Sequence, residues 1–232
     1  MTAAHERPAR RPVRSYVIRS GRLTGGQRRA IEQYSPRYVI EFEPGLLDMR
    51  QLFPLPQPLT VEIGFGSGES LLAMAREQPQ VNFLGIDVYQ PGIGRLLQGI
   101  VEHDLENVRL ICHDAVEVFA DNLAEESVDR VLMLFPDPWP RKRHHKRRLV
   151  QPDFMRLVQS RLRPGGEVHL ATDWPPNLAH MMAVMERIPG FSNRCGENAC
   201  WESPERPLTR FELRGRRLGH EVRDLLYRKS GT

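Results

Sequence analysis

The chain has 232 residues, 33 Lys and Arg against 29 Asp and Glu, and a formal net charge of +4. With 40% hydrophobic and 27% charged residues it has the composition of a folded globular protein, which argues against a collagen-like, disulfide-scaffold or wholly disordered chain. It carries no apolar run of about 18 residues that could cross a membrane, no apolar secretory segment near its start and only Cys112, Cys195 and Cys200, so a cytoplasmic protein with reduced thiols is expected.

Residues 1–37 carry a net +7 and read as a basic arm, expected to be flexible in part, ahead of a single domain over 38–232. Such an arm is either a solvated tail or a holder of polyanions. The Pro-rich stretch 53–58 reads as a linker into the first ordered unit. Beyond it, short apolar runs alternate with amphipathic segments. Strands are expected at 60–64, 81–88, 108–112, 128–135 and 168–171, with helices over 70–78, from Pro91, over 115–122, over 152–162 and over 176–187. The run Pro164-Gly165-Gly166 reads as a stop and turn, and two more strands are expected near 208–214 and 221–228. Strands separated by helices predict a parallel sheet with right-handed crossovers, hence a doubly wound α/β domain.

The first strand runs into Glu62-Ile63-Gly64-Phe65-Gly66-Ser67-Gly68-Glu69. Glycines after a parallel strand permit a tight turn and a close approach to a ligand. Neither frame gives the spacing of a dinucleotide fingerprint, and Glu62 and Glu69 would repel a pyrophosphate. Asp87 and Asp114 follow the next two strands, where a carboxylate can accept from ribose hydroxyls or from an exocyclic amine. This E-x-G-x-G-x-G form with its strand-end acids resembles class I S-adenosylmethionine-dependent methyltransferases, whose cationic ligand favours nearby acids.

The charge is segregated: 38–140 carry a net −12, the octet 141–148 carries +6, and 149–232 carry +3. The octet follows Phe135-Pro136-Asp137-Pro138-Trp139-Pro140, in which prolines fix a loop and Asp137 offers two acceptor oxygens to the N1 and N2 edge of guanine. Trp139 either stacks on a base or packs the loop. With Arg19-Ser20-Gly21-Arg22-Leu23-Thr24, Ala171-Thr172-Asp173-Trp174, 206–215 and Leu218-Gly219-His220, the run 134–148 resembles the signature of bacterial tRNA (guanine-N7-)-methyltransferases over roughly 14–229.

That resemblance implies a Rossmann-like class I methyltransferase fold with a mostly parallel sheet and an antiparallel C-terminal strand. It implies methyl transfer from S-adenosylmethionine to N7 of the variable-loop guanine of tRNA. It further implies that Glu62, Gly64, Gly66, Gly68, Asp87, Asp114 and Asp137 bind the cofactor, with Asp137 also catalytic. Arg141, Asp173, Thr209, Arg210, Phe211 and Glu212 would bind the guanosine, and Arg143, His144, His145, Lys146, Arg147 and Arg148 would contact the RNA. The family commonly has Glu at the position of Asp87 and Lys at that of Arg141; this chain has 30 Arg and 3 Lys, so the second departure matches its composition.

A monomer or homodimer with tRNA as its partner is expected, with no membrane, no obligate protein partner and no metal. His144 and His145 lie in a charge run, and Cys195 and Cys200 are an isolated pair. Competing readings are an amino methyltransferase, disfavoured by the Asp-Pro-Trp-Pro order, and a non-catalytic RNA-binding protein, disfavoured by the intact glycines and acids.

Overall fold

The computed structural model describes residues 14–16, 21–202, 204 and 206–231. Arg19 and Ser20 of the first motif lie outside the described residues. The elements are α1 (Gly25–Tyr38), β1 (Val39–Ile40), α2 (Met49–Leu52), β2 (Leu59–Ile63), α3 (Glu69–Glu77), β3 (Asn82–Ile86), α4 (Gln90–Glu102), β4 (Val108–Ile111), α5 (Ala115–Asp121), β5 (Val128–Leu134), a 3₁₀ turn (Lys142–Arg147), α6 (Pro152–Arg161), β6 (Leu162–Thr172), α7 (Pro175–Met185), β7 (Phe191–Asn193), α8 (Arg210–Arg217) and β8 (Arg223–Lys229).

The eight strands form one sheet in the order β1-β4-β3-β2-β5-β6-β8-β7. Only β8 runs against its neighbours, pairing antiparallel with β6 and β7, so the expected doubly wound fold with an antiparallel C-terminal strand is present. Alternation along the inner strands serves two cores: Val131 and Met133 of β5 face one, Leu132 and Leu134 the other. Helices α1, α3 and α4 cover one side, while α5, α6 and α7 cover the other. Successive strands are added to one side of β2 as far as β4 and to its other side from β5 on, and the loops that follow the parallel neighbours β2 and β5 bound a crevice at this switch point, as this architecture requires.

Three expectations are corrected. The segment 208–214 is the start of α8, because the Thr209 hydroxyl accepts from the N–H of Glu212 at 3.1 Å and caps a helix there. Pro164-Gly165-Gly166 is an irregularity inside β6: Val128 pairs with Leu162, Arg130 with Glu167, and Gly165 at φ +78° takes up the extra length. The Pro-rich stretch does lead into β2, but not into the first ordered unit, because α1, β1 and α2 precede it; it is mostly exposed, tied down by buried Phe53 and by the Asn82 amide donating to the Leu55 carbonyl at 2.9 Å.

Residues 25–37 of the basic arm, with Tyr38, form α1, which opens on a reciprocal cap between Thr24 and Gln27. It lies close against α4, since a Cβ at Gly94 would stand 2.9 Å from the Gln27 carbonyl oxygen.

Candidate active site

The crevice between the β2 and β5 loops has a volume of about 500 Å³. Its first wall is backbone. Gly64, Gly66 and Gly68 all have positive φ, at +74°, +59° and +75°, a conformation that other residues rarely adopt. No atom lies within 4 Å of a Cβ built at Gly64 or Gly66. Behind the loop, α4 approaches so closely that a Cβ at Gly92 would stand 1.9 Å from the Gly66 carbonyl oxygen.

The carboxylates sit beneath this wall. Glu62 is 2% exposed, and its Oε2 has no hydrogen-bond partner among the described residues. Burial, and secondarily the neighbouring Asp87, pushes its carboxyl up to about 8, with Arg206 opposing. Asp87 accepts from the backbone N–H of Gly66 at 2.7 Å and of Tyr89 at 2.9 Å, tying the loops after β2 and β3 together. Burial raises its pKa against those donors. Asp114 caps α5 by accepting from the Val116 N–H, so part of its acceptor capacity is structural. Beside it His113 lines the crevice, stacked on Phe42 at 3.8 Å and 7°.

The opposite wall is Phe135, Pro136 and Asp137. Phe135 and Trp139 bracket this loop with φ of +56° and +43°, unusual for bulky residues and a sign of a shape imposed by the surroundings. The impositions are visible. Trp139 Nε1 donates to the Ser15 carbonyl at 3.1 Å, and the Arg147 guanidinium lies 4.2 Å over the indole. Arg147 also donates to the carbonyls of Arg14 and Tyr16. Arg148 is 5% exposed and donates from Nε to the Pro138 carbonyl at 2.8 Å. Trp139 therefore packs the loop. Of the basic octet, Arg141, Lys142, Arg143 and Lys146 are exposed, His144 and His145 half-buried, and Arg148 faces inward.

The C-terminal residues close the far edge. Asp173, after β6, accepts from or shares a proton with His220 Nδ1 at 2.9 Å. Phe211 is half-exposed and its ring lies 5.3 Å from that of Phe135. Thr209 is the α8 cap, whereas Glu212 is 1% exposed and holds Arg206 at 2.5 Å and Arg216 at 2.7 Å. Arg210 begins α8.

Gly64, Gly66, Asp87 and Asp137 thus line one crevice, with Glu62 buried at the strand end behind Gly64, while Gly68, Asp114, Glu212 and Arg148 are not among its lining residues. Sequence reasoning passed over Gly92, Phe135 and Arg206; the RPLTRFE run held the last of these in plain view. Cys112, Cys195 and Cys200 are free thiols, and no His, Cys, Asp and Glu grouping suited to a metal occurs among the described residues.

A family model described as "Putative methyltransferase" matches residues 56–225. A protein of Stutzerimonas stutzeri (strain A1501) named tRNA (guanine-N(7)-)-methyltransferase is 49% identical over 221 residues, which is 95% of this chain and 93% of that one. A protein of the same name from Yersinia pestis (strain Pestoides F) is 47% identical over 222 residues, with the same coverage of 95% and 93%. The crystal structure of the 16S rRNA methyltransferase KamB is similar in fold, with a TM-score of 0.55 at 18% identity over 78% of this chain and 92% of that one.

Proposed function

This chain belongs to the tRNA (guanine-N7-)-methyltransferase family, and from that premise we propose how its crevice transfers a methyl group to N7 of the variable-loop guanine of tRNA. The cofactor implied is S-adenosylmethionine, which supplies an activated methyl group on a sulfonium. The residues present fit such a group: the partnerless Oε2 of Glu62 suits a cationic ligand, and the space above Gly64 and Gly66 admits one close to the backbone. Glu62, Asp87 and Asp114 would hold it, with Asp87 offering the lone pairs left over from its two N–H donors to ribose hydroxyls. His113 on Phe42 gives a flat wall for the adenine.

Guanine N7 carries an in-plane lone pair and no proton, so no residue need act as a general base. The chain's contribution is orientation, which can be worth about 7–11 kcal/mol in favourable intramolecular cases. Asp137 faces the base, reads its N1 and N2 edge and favours the positive charge that methylation places on the purine. Phe135 and Phe211 offer aromatic faces beside it, Arg141 stands at the rim, and Asp173 shares its carboxylate with His220. The exposed Lys142, Arg143 and Lys146 meet phosphate, which offsets the repulsion of the acidic interior.

One observation carries this reading: Asp137 stands on a loop pinned at both ends and lines the same crevice as Gly64, Gly66 and Asp87. The test is incubation of tRNA with methyl-labelled S-adenosylmethionine, followed by nucleoside analysis. N7-methylguanosine from the variable loop is expected, and Asp137→Ala should lower turnover by about a hundredfold or more while tRNA affinity is kept. A folded Asp137→Ala enzyme with full turnover would remove this residue from the mechanism.

A further inference from the structure

Arg206 is a buried cation that the transfer described above leaves unused. Its side chain is 2% exposed, yet all three of its nitrogens have carboxylate partners. Nε and Nη2 donate to Oδ1 and Oδ2 of Asp224 at 2.7 and 2.9 Å, a two-pronged contact onto the start of β8. Nη1 donates to Oε2 of Glu212 in α8 at 2.5 Å. The Cζ of the same guanidinium lies over the ring of Phe135, 5.7 Å from its centroid. Phe135 is the residue at φ +56° from which the Asp137 loop departs, and its ring also meets Phe211 of α8. Burial alone would lower the pKa of Arg206, but Asp224 and Glu212 outweigh it and hold the group charged.

Helix α8 has little else to fasten it. Among its described side chains only that of Glu212 is buried; Phe211 meets Phe135 near its start, and at its far end a Cβ at Gly215 would stand 3.3 Å from the Asp173 carboxylate, with which His220 pairs. Glu212 is 1% exposed and both of its oxygens face arginine, Oε1 accepting from Arg216 and Oε2 from Arg206.

We infer that Arg206 is a positioning residue for methyl transfer, fastening α8 and the Phe135 ring to β8, and that Glu212 is its strut rather than a guanine contact. This rests on the function proposed above. Asp224 anchors the fork from behind, itself held by His169 at 2.6 Å, so the pin is set in the sheet. A planar fork can grip Asp224, reach Glu212 and stack on a ring at once. A lysine ammonium cannot.

The experiment uses the full chain with a tRNA transcript. Arg206→Lys keeps a charge in the site without the fork. It should lower kcat by about ten- to hundredfold, with cofactor affinity kept within about twofold. Amide exchange should quicken in 209–217 and not in β2 and β3. An unchanged kcat, or exchange that quickens evenly across the sheet, overturns the positioning role.

Glu212→Gln keeps the shape and separates strut from reader. Inosine at the target lacks the 2-amino group, so a strut leaves the guanosine-to-inosine ratio of kcat/KM equal in wild type and variant. A ratio that collapses toward one in Glu212→Gln shows that Glu212 reads the base and overturns its assignment as a strut. Wild-type enzyme that forms no N7-methylguanosine would overturn the functional reading and this inference with it, a result distinct from failure of either variant alone.

Discussion

The two sides of the crevice are built by opposite means. On the side of the glycine loop, backbone makes the shape: three residues at positive φ, and a helix close enough that a methyl group at Gly92 would strike a carbonyl. Of the carboxylates there, Glu69 pairs with Arg95 at 2.7 Å, but Glu62 and Asp87 have no ion pair among the described residues. On the Asp137 side, arginine makes the shape. Arg147 covers Trp139, Arg148 holds the Pro138 carbonyl and Arg206 backs Phe135. On the proposed function the Asp137 side meets a base and phosphates, and it holds Arg147, Arg148 and Arg206 as scaffold while Arg141, Lys142, Arg143 and Lys146 stay exposed.

That contrast can be broken first at Gly92. Gly92→Ala forces α4 and the glycine loop apart, and should cost roughly 3 kcal/mol of stability or more, with loss of cofactor binding. Denaturant unfolding and calorimetric titration would measure both; a variant as stable as wild type would show that the loop has room to yield.

A smaller effect is expected at Glu62. Its carboxyl is raised from 4.5 to about 8 in the folded protein, so its contribution to stability is full below the ordinary carboxyl range and is lost as pH rises through about 8. Without cofactor, the melting temperature of wild type should therefore fall over that window more than that of Glu62→Gln. Cofactor binding by wild type should release a proton below pH 8, and weaken in the variant. Parallel melting curves for the two proteins would refute the raised value.

The mildest test separates the arginines of the other side. Replacing exposed Arg143 and Lys146 with Ala should reduce the slope of log affinity for tRNA against log salt by about two. Arg148→Met should leave that slope alone and lower kcat instead, because its guanidinium holds a carbonyl. A slope that flattens in Arg148→Met would put that group on phosphate.

These differences also explain what could be read without a structure. Parallel strands, the glycine loop and Asp87 follow from local patterns of apolar residues and glycine, which the backbone obeys directly. Phe211 and Leu213, alternating with polar neighbours, imitate the two-residue period of a strand, yet the segment is helical because Thr209 caps it and an ion pair buries Glu212. Hydrophobic periodicity is blind to a charge that is buried with its partner. Composition likewise cannot distinguish Arg143, exposed to solvent, from Arg148, five residues on and turned inward. Helix α1 starts at Gly25-Gly26 and contains Pro36, all poor helix formers, and only the Thr24 and Gln27 cap announced it.

The place of β8 between β6 and β7 sets an order on synthesis. A nascent chain exposes the glycine loop, the Asp137 loop and α8 before the strand that carries Asp224 emerges, and β7 has no other strand to pair with until then. The cofactor side can mature while translation continues, but the Arg206 pin closes only when the last strand slides into its slot. Premature termination before residue 223 would leave Arg206 without Asp224, β7 without a partner strand, and the core without Leu225 and Tyr227.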